Sequence, residues 1–477
     1  AVGVFSGTAS KAAVNGTATF NDISYNVAES INVTASSATV TNPAGAFAVS
    51  VTAGSVSYLK VTAGAASMTA GGTLELTITA YDSNNNVATG YTGNKSLTFS
   101  GLANAPDGTV PTVEAVNQGT PVTVAFTSGA SNANAATLIA YKAEIPFLDV
   151  TDGTNNSDGN AGYDLDLTVL HVAADYLGVV APAGPQVAGT SFNLTSIKAY
   201  DRYGNLTDGG NGATAYSGAK TLTYTFSGTA NGPDSGVDTY TTAVSFTAGI
   251  STTVLATKFH KAQSSVTLSA DDAALANNVA NTASAAFHVR HGASDHIKFS
   301  ANISTPQTAG TEFNLSSLKA VDIYGNIADG GNGATAYAGA KTIAYSLSGT
   351  ANGLDSGTDS FTTAVSFTAG ASTTALATTL YRKQNTSITA DASDLAGTDV
   401  AGNTITVNAA AANKLKYSVN PPASVVSGAT WTSFDVSIYD THGNLRGSGT
   451  DTIAISENGA VGVFSGTASK AAVNGTA

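Results

Sequence analysis

Residues 185–205, PQVAGTSFNLTSIKAYDRYGN, return at residues 306–326 as PQTAGTEFNLSSLKAVDIYGN, an offset of 121. The same offset relates GGNGATAY at 209 and 330, GAKT at 218 and 339, and TTAVSFTAG at 241 and 362. Self-similarity at a fixed period means an array of like units, which limits the fold to one small architecture used several times. A more distant copy precedes this pair, with MTAGGTLELTITAYDSNNN (68–86), YTGNKSLTFSG (91–101) and VTVAFTSGAS (122–131) in the same order. A fourth begins at NKLKY (413–417) and continues through WTSFDVSIYDTHGN (431–444) and DTIAISENG (451–459). Each unit opens on a similar short strand, SYLKV at 57, DYLGV at 175, DHIKF at 295 and NKLKY at 413.

The eighteen residues 460–477, AVGVFSGTASKAAVNGTA, are identical to residues 1–18. Laying Ala1 on Ala460 makes the fourth unit read 413–459 and then 1–56, so the sequence behaves as one window on a 459-residue period whose cut falls inside a unit. The first residue is Ala and Met68 is the one methionine, as in a mature product or an excerpt. A second reading lets separate subunits complete each other's split unit by strand addition. The duplication weighs against it, because two identical ends would compete for one slot. The expected divisions are 1–56 (the C-terminal half of a unit completed by the preceding copy or chain), 57–173, 174–292 and 293–411 (complete units), and 412–477 (the N-terminal half of a unit).

Alternation within each unit, as in FNLTSIKAY and LTYTFSG, with Gly, Asn and Asp between the runs, predicts strands and turns with no helix. In the second unit strands are expected near 175–180, 191–200, 220–227, 239–246, 250–258, 263–270 and 282–290, a two-sheet sandwich. The apolar share of 42% supports a folded chain, whereas charged residues make up 11% against an ordinary share of about 25%. With no cysteine, neither disulfides nor thiolate chemistry are available. A net charge of −13 argues against a phosphate-binding surface, so nucleic acid is excluded as a partner. No apolar run is long enough to span a membrane.

The order AGTxFNLTxxAxDxYGN, YxGxKTLTFSG, VSFTAG resembles the bacterial immunoglobulin-like repeats of the intimin and invasin kind, which occur in tandem in surface adhesins and giant secreted proteins. The resemblance covers essentially the whole chain. It implies an all-β fold of tandem immunoglobulin-like β-sandwiches arranged as an extended rod or filament, an extracellular or cell-surface location, and no catalysis.

Asp201, Gly204 and Asn205 recur as Asp322, Gly325 and Asn326 and as Asp440, Gly443 and Asn444, while the first unit keeps Asp82 with Asn85 and Asn86 in the Gly and Asn places. The simple reading is a tight turn in which Asp bonds an N–H two residues on. The functional reading is calcium at the unit junctions, since this turn and the acid-rich late turns share the pole where the preceding unit attaches. Asp271, Asp272, Asp391 and Asp394 lie in those late turns, and Asp175 and Asp295 in the linkers. Asp149, Asp152, Asn155, Asp158 and Asn160 form the densest set, with oxygen donors at the short steps a hard cation needs. His288, His291 and His296 suggest a transition-metal site or, more simply, a linker. Ten N-x-S/T sequons, among them Asn205 and Asn155, are candidate glycan acceptors. Lys298 and Asn408 are a candidate amide crosslink.

No hydrolase elbow, zinc-protease motif or phosphate loop is present, so an enzyme is not expected. The leading expectation is a structural repeat of an extracellular or cell-surface fibre, stalk or sheath whose partner is a head-to-tail copy of itself. The alternatives are an adhesin or carbohydrate-binding protein with its site on the first unit's insertion at 141–166, and an S-layer-type protein.

Overall fold

The computed structural model describes residues 2–41, 45–157, 162–459 and 464–477. Strands follow one another along the chain; among the described residues there is no α-helix, only two three-residue 3-10 turns at Gly210–Gly212 and Gly331–Gly333. The all-β expectation therefore holds. Period-two patterning is the cause: Leu74–Tyr81, LELTITAY, buries Leu74, Leu76, Ile78 and Ala80 and turns the intervening residues outward. No described helix is long and apolar enough to cross a membrane.

Apolar side chains collect into separate cores in series. One joins Leu59 to Val169, the next Leu177 to Val289, and the third Ile297 to Val407. A small fourth group holds Val436, Ile438, Ile453 and Ala472. Residues 2–56 contribute two two-stranded sheets, Phe5–Ser6 with Ser24–Tyr25 and Ser30–Val33 with Phe47–Ser50.

In the sandwich around the Leu177–Val289 core, one sheet runs Tyr176–Val180, Ser196–Tyr200, Ile250–Ser251, Ala243–Thr247, Gly218–Thr221. The other side is built from Gln186–Val187, Phe287–Arg290 and Gln263–Val266, beside Phe192–Asn193, Ala256–Lys258 and Thr239–Tyr240. Several runs read as single strands from the sequence are thus two pieces in different sheets. The run at 250–258 gives Ile250–Ser251 to one sheet and Ala256–Lys258 to the other. Alternation reports that a segment is extended, but not which partner holds its hydrogen bonds, so such corner crossings leave no mark in the pattern. In the next sandwich Gly339–Leu347 crosses without a break: residues 339–342 pair with Ala364–Thr368 and residues 343–347 with Ile388–Ala392.

The first part of the 141–166 stretch is not an insertion but a strand its siblings share, in the place of Leu268–Asp271 and Ile388–Ala392, so the departure begins after Asp152. Phe147–Thr151 pairs with the end of Gly93–Ser100, and Tyr163 stacks on Tyr58 with ring centroids 4.0 Å apart.

Candidate functional site: the junctions between sandwiches

The D-x-x-G-N turn sits where one sandwich meets the sandwich before it. Its geometry begins locally. Asp201 Oδ1 accepts the N–H of Tyr203 at 2.9 Å and of Asn205 at 2.9 Å, and Gly204 takes φ +82°, which a residue without Cβ adopts freely. Asp322 and Asp440 repeat this with Gly325 and Gly443, and Asp82 does so with Asn85 at φ 65°. The expected turn is what forms.

The second carboxylate oxygen leaves the turn and grips the linker. Asp82 Oδ2 accepts Gly54 N–H at 2.9 Å, Asp201 accepts Val172 N–H at 3.2 Å, Asp322 accepts Gly292 N–H at 2.8 Å, and Asp440 accepts Ala410 N–H at 2.9 Å. The four aspartates are buried. Burial works to raise the pKa of Asp440, but the bonds from Asn444, Ala410 and His442 outweigh it and hold the carboxyl below its usual range. Asp82 is lowered in the same way, by Asn86, Gly54 and Asn84 against the cost of burial.

The asparagine that closes the motif reaches further, into the preceding sandwich, as a two-ended clamp. Asn326 Nδ2 donates to His260 C=O at 2.7 Å while its Oδ1 accepts Ala262 N–H at 2.8 Å. Asn205 makes the same pair with Tyr141 and Ala143, Asn444 with Tyr381 and Lys383, and Asn86 with Asn26 and Ala28. A primary amide alone among the short side chains offers a donor and an acceptor in one plane, which fits alternate C=O and N–H groups of an extended backbone. The sequence marked these asparagines as turn formers; their spacing from Asp was the signal, but the partner strand lies about sixty positions away.

A third contact runs the other way. Backbone N–H groups of Asp107, Asp234 and Asp355, on loops of the preceding sandwiches, donate to the carbonyls of Tyr203, Tyr324 and His442 inside the turns, at 3.2, 2.9 and 2.9 Å. The ring of each turn residue lies on a glycine of the preceding sandwich: Gly71 under Tyr203, Gly189 under Tyr324 and Gly310 under His442, and a Cβ at any of them would overlap the ring. These are the glycines of the recurring T/V-A-G run. At the two later junctions Lys298 pairs with Asp234, and Lys414 and Lys416 with Asp355. Linker histidines add one more bond, His171 Nε2 accepting Gly209 N–H at 3.0 Å and His291 Nε2 accepting Gly330 N–H at 3.1 Å.

The remaining carboxylates considered for calcium are dispersed. Asp152, Asp272 and Asp394 each accept a tyrosine hydroxyl, from Tyr91, Tyr216 and Tyr337, and burial followed by those carboxylates raises the three phenol pKa values. Asp152 also accepts the N–H groups of Thr154 and Asn155. Asp149 lies in the ladder opposite Ser100, Asp271 accepts the amides of Asn277 and Asn281, Asp175 accepts Asn278 and Val279, and Asp295 contacts His296 Nδ1. Asp391 stands in the ladder opposite Ala344. Asp158 and Asn160 lie outside the described residues. Among the described residues no three His, Asp or Glu side chains gather as metal ligands would. His288 accepts Ser265 N–H, so the three histidine rings at 288–296 serve separate backbone and carboxylate partners. Lys298, considered for a crosslink to Asn408, places its ammonium on Asp234 instead. The buried amide of Asn205 is committed to the clamp and cannot carry a glycan.

No family model matches the chain, and no curated protein matches it. Solved structures do. FdeC, an Escherichia coli adhesin, is 19% identical, with 75% of this chain and 99% of that one covered at a TM-score of 0.26. Yersinia pseudotuberculosis InvD is 16% identical, over 72% of this chain and 97% of that one, at a TM-score of 0.26. Invasin, a bacterial integrin-binding protein, is 11% identical, over 80% of this chain and 66% of that one, at a TM-score of 0.23.

Proposed function

We propose that this chain is a load-bearing repeat of an extracellular or cell-surface fibre, stalk or sheath, built from tandem immunoglobulin-like sandwiches and continued head to tail with a 459-residue period. One observation carries this reading: four successive junctions use the same Asp–linker and Asn–strand bonds, with partners in register each time. A chain that only needed to tether its sandwiches would have no use for a bidentate clamp at every joint, because flexible linkers are the default between domains. Fixed joints keep a string of small cores extended, and each sandwich contacts only its neighbours.

The test is small-angle X-ray scattering of the chain and of a triple variant, Asn205→Ala, Asn326→Ala and Asn444→Ala. A shorter maximum dimension and a broader pair-distance distribution in the variant support the reading; an unchanged profile overturns it. An adhesive role is the second reading. It draws on Ile145 and Phe147, large apolar side chains exposed on the first complete sandwich.

A further inference from the structure

The closing turn of the third complete sandwich is held by a carboxyl where its sibling uses an amide. In the second sandwich Asn281 bridges two strands. Its Oδ1 accepts the N–H of Leu177, on Tyr176–Val180, at 2.7 Å, and its Nδ2 donates at 2.8 Å to Asp271 Oδ1, at the end of Leu268–Asp271. In the third sandwich the turn is shorter, with 397–402 in the place of 277–284. Gly397 N–H bonds Asp295 C=O as Asn277 N–H bonds Asp175 C=O, and Gly402 N–H bonds Ile388 C=O as Ser284 N–H bonds Leu268 C=O. Asp399 thus falls where Asn281 was, and its Oδ1 accepts Ile297 N–H at 3.1 Å. Asp391 holds the register of Asp271, opposite Ala344 as Asp271 is opposite Thr223, and lies within hydrogen-bond reach of Asp399.

The bridge to Asp391 needs a donor. An ionised carboxylate has acceptors alone, whereas a protonated one carries an O–H and has nearly the shape of an amide. Asp399 therefore repeats both bonds of Asn281 only when its second oxygen is protonated, and two neighbouring carboxylates repel when both are ionised. Burial raises the pKa of half-buried Asp399, the bond from Ile297 N–H opposes this, and Asp391 raises it again, to about 6. The other charged groups nearby do not replace the proton. His296, on the opening strand His296–Phe299, favours ionised Asp399 by its charge, but its Nδ1 contacts Asp295, itself an acid. Lys341 and Tyr337 are both committed to Asp394.

Little else fastens this turn. In the second sandwich Thr282 bonds Leu177 C=O and Val179 N–H, Asn277 gives Asp271 a further amide, and Asn278 and Val279 bond the Asp175 carboxylate. In the third, Gly397 stands in the place of Asn277, where a Cβ would overlap the Asp295 carboxylate, and that carboxylate contacts His296.

We propose that Asp399 and Asp391 form an acid-closed latch: sharing one proton, they pin the closing turn to the opening strand, and losing it as the surroundings turn neutral or alkaline frees the turn. The latch lies near the joint, since Lys298 on the same opening strand pairs with Asp234 of the preceding sandwich. It does not depend on the joints bearing load.

The test is hydrogen exchange of the full chain, read by mass spectrometry between pH 4 and 8 in metal-free buffer, with each amide referred to its intrinsic rate. Protection of Ile297 should fall by about ten- to a hundredfold as pH rises through about 6, the scale of a pKa difference of one to two units between closed and open states. Leu177, in the same chain, should stay level. Asp399→Asn supplies the sibling's amide and should keep Ile297 protected at every pH. The reciprocal Asn281→Asp should bring a loss of the same sign to Leu177, smaller because Thr282 still holds that turn. A level Ile297 profile in the parent, an equal fall at Leu177, a fall that survives Asp399→Asn, or a level Leu177 in Asn281→Asp would each overturn the proposal.

Discussion

Asn326→Ala removes one clamp at the joint between the second and third complete sandwiches. It deletes two bonds across the joint, to His260 C=O and from Ala262 N–H, and a third within the turn to Asp322 Oδ2 at 2.9 Å. Each bond contributes about 0.5–1.5 kcal/mol net, and a buried backbone group left without a partner costs about 1–3 kcal/mol. Water entering the space left by the amide recovers part of this, so the loss of coupling should be about 2–4 kcal/mol. Most of it belongs to the coupling between sandwiches and little to either core, because Asn326 lies outside the packed apolar clusters. Differential scanning calorimetry of the chain and the variant should show the third sandwich melting several degrees lower and as a separate transition, at a scale of about 3–6 °C per kcal/mol for a unit of this size. Asn326→Asp is the sharper control: it keeps the acceptor for Ala262 and turns the donor into a carboxylate facing the His260 carbonyl and Asp322. It should be at least as damaging as Ala. If both variants melt as the parent does, the clamp carries no load and the reasoning about joints fails.

Gly189→Ala places a Cβ against the Tyr324 ring at a residue with φ +75°. It should cost about 1–3 kcal/mol, and Tyr324→Ala in the same chain should recover part of that loss in a double-mutant cycle. Asp399 is pushed up to about 6, first by burial and then by Asp391. A raised folded-state value means its contribution to stability is complete below the unfolded value near 3.8 and is lost as pH rises through about 6. Asp399→Asn should therefore melt higher than the parent at pH 8 and flatten the fall in melting temperature between pH 4 and 6; an unchanged pH profile refutes the assignment. Asp440 has the opposite sign, so the last joint should weaken only as pH falls below the ordinary carboxylate range, visible as selective loss of amide protection at Ala410 by hydrogen exchange. The four turn carboxylates already accept four N–H groups each, three from backbone and one from the asparagine amide, so EDTA is expected to leave melting unchanged. A calcium-dependent rise would instead place a cation at the acid-rich loop around Asp149 and Asp152.

Much of the fold was legible in residue order. Alternation in LELTITAY and FNLTSIKAY announces strands, and the repeated D-x-x-G-N announces a turn, because both depend on torsions and neighbours within a few positions. Sheet membership was not: Ile250–Ser251 and Ala256–Lys258 look like one strand until the two partners are seen to lie in different sheets. The clamp was half legible. Asp and Asn were singled out at the correct pole, yet their second partners, the linker N–H and the strand of the previous sandwich, are set by how whole sandwiches meet.

The duplicated eighteen residues separate the two kinds of information within one chain. In both copies Asn-Gly makes the same turn, with φ 52° and 81° at Asn15 and Gly16 and 53° and 82° at Asn474 and Gly475, and in both it is flanked by the same bridged Val and Thr. Those torsions belong to the dipeptide itself. The residues SKA do not repeat their structure. Ser469–Ala471 is a strand laid on Thr452–Ala454, while Ser10, Lys11 and Ala12 form none, and Lys11 bonds Thr19 C=O and Asn21 instead. A Cβ at Gly475 would overlap the Arg446 carbonyl, whereas one at Gly16 would meet nothing within 4 Å. A turn closes on its own backbone, so sequence alone determines it. A strand's hydrogen bonds belong to its neighbour, so only the tertiary structure decides whether identical residues become one.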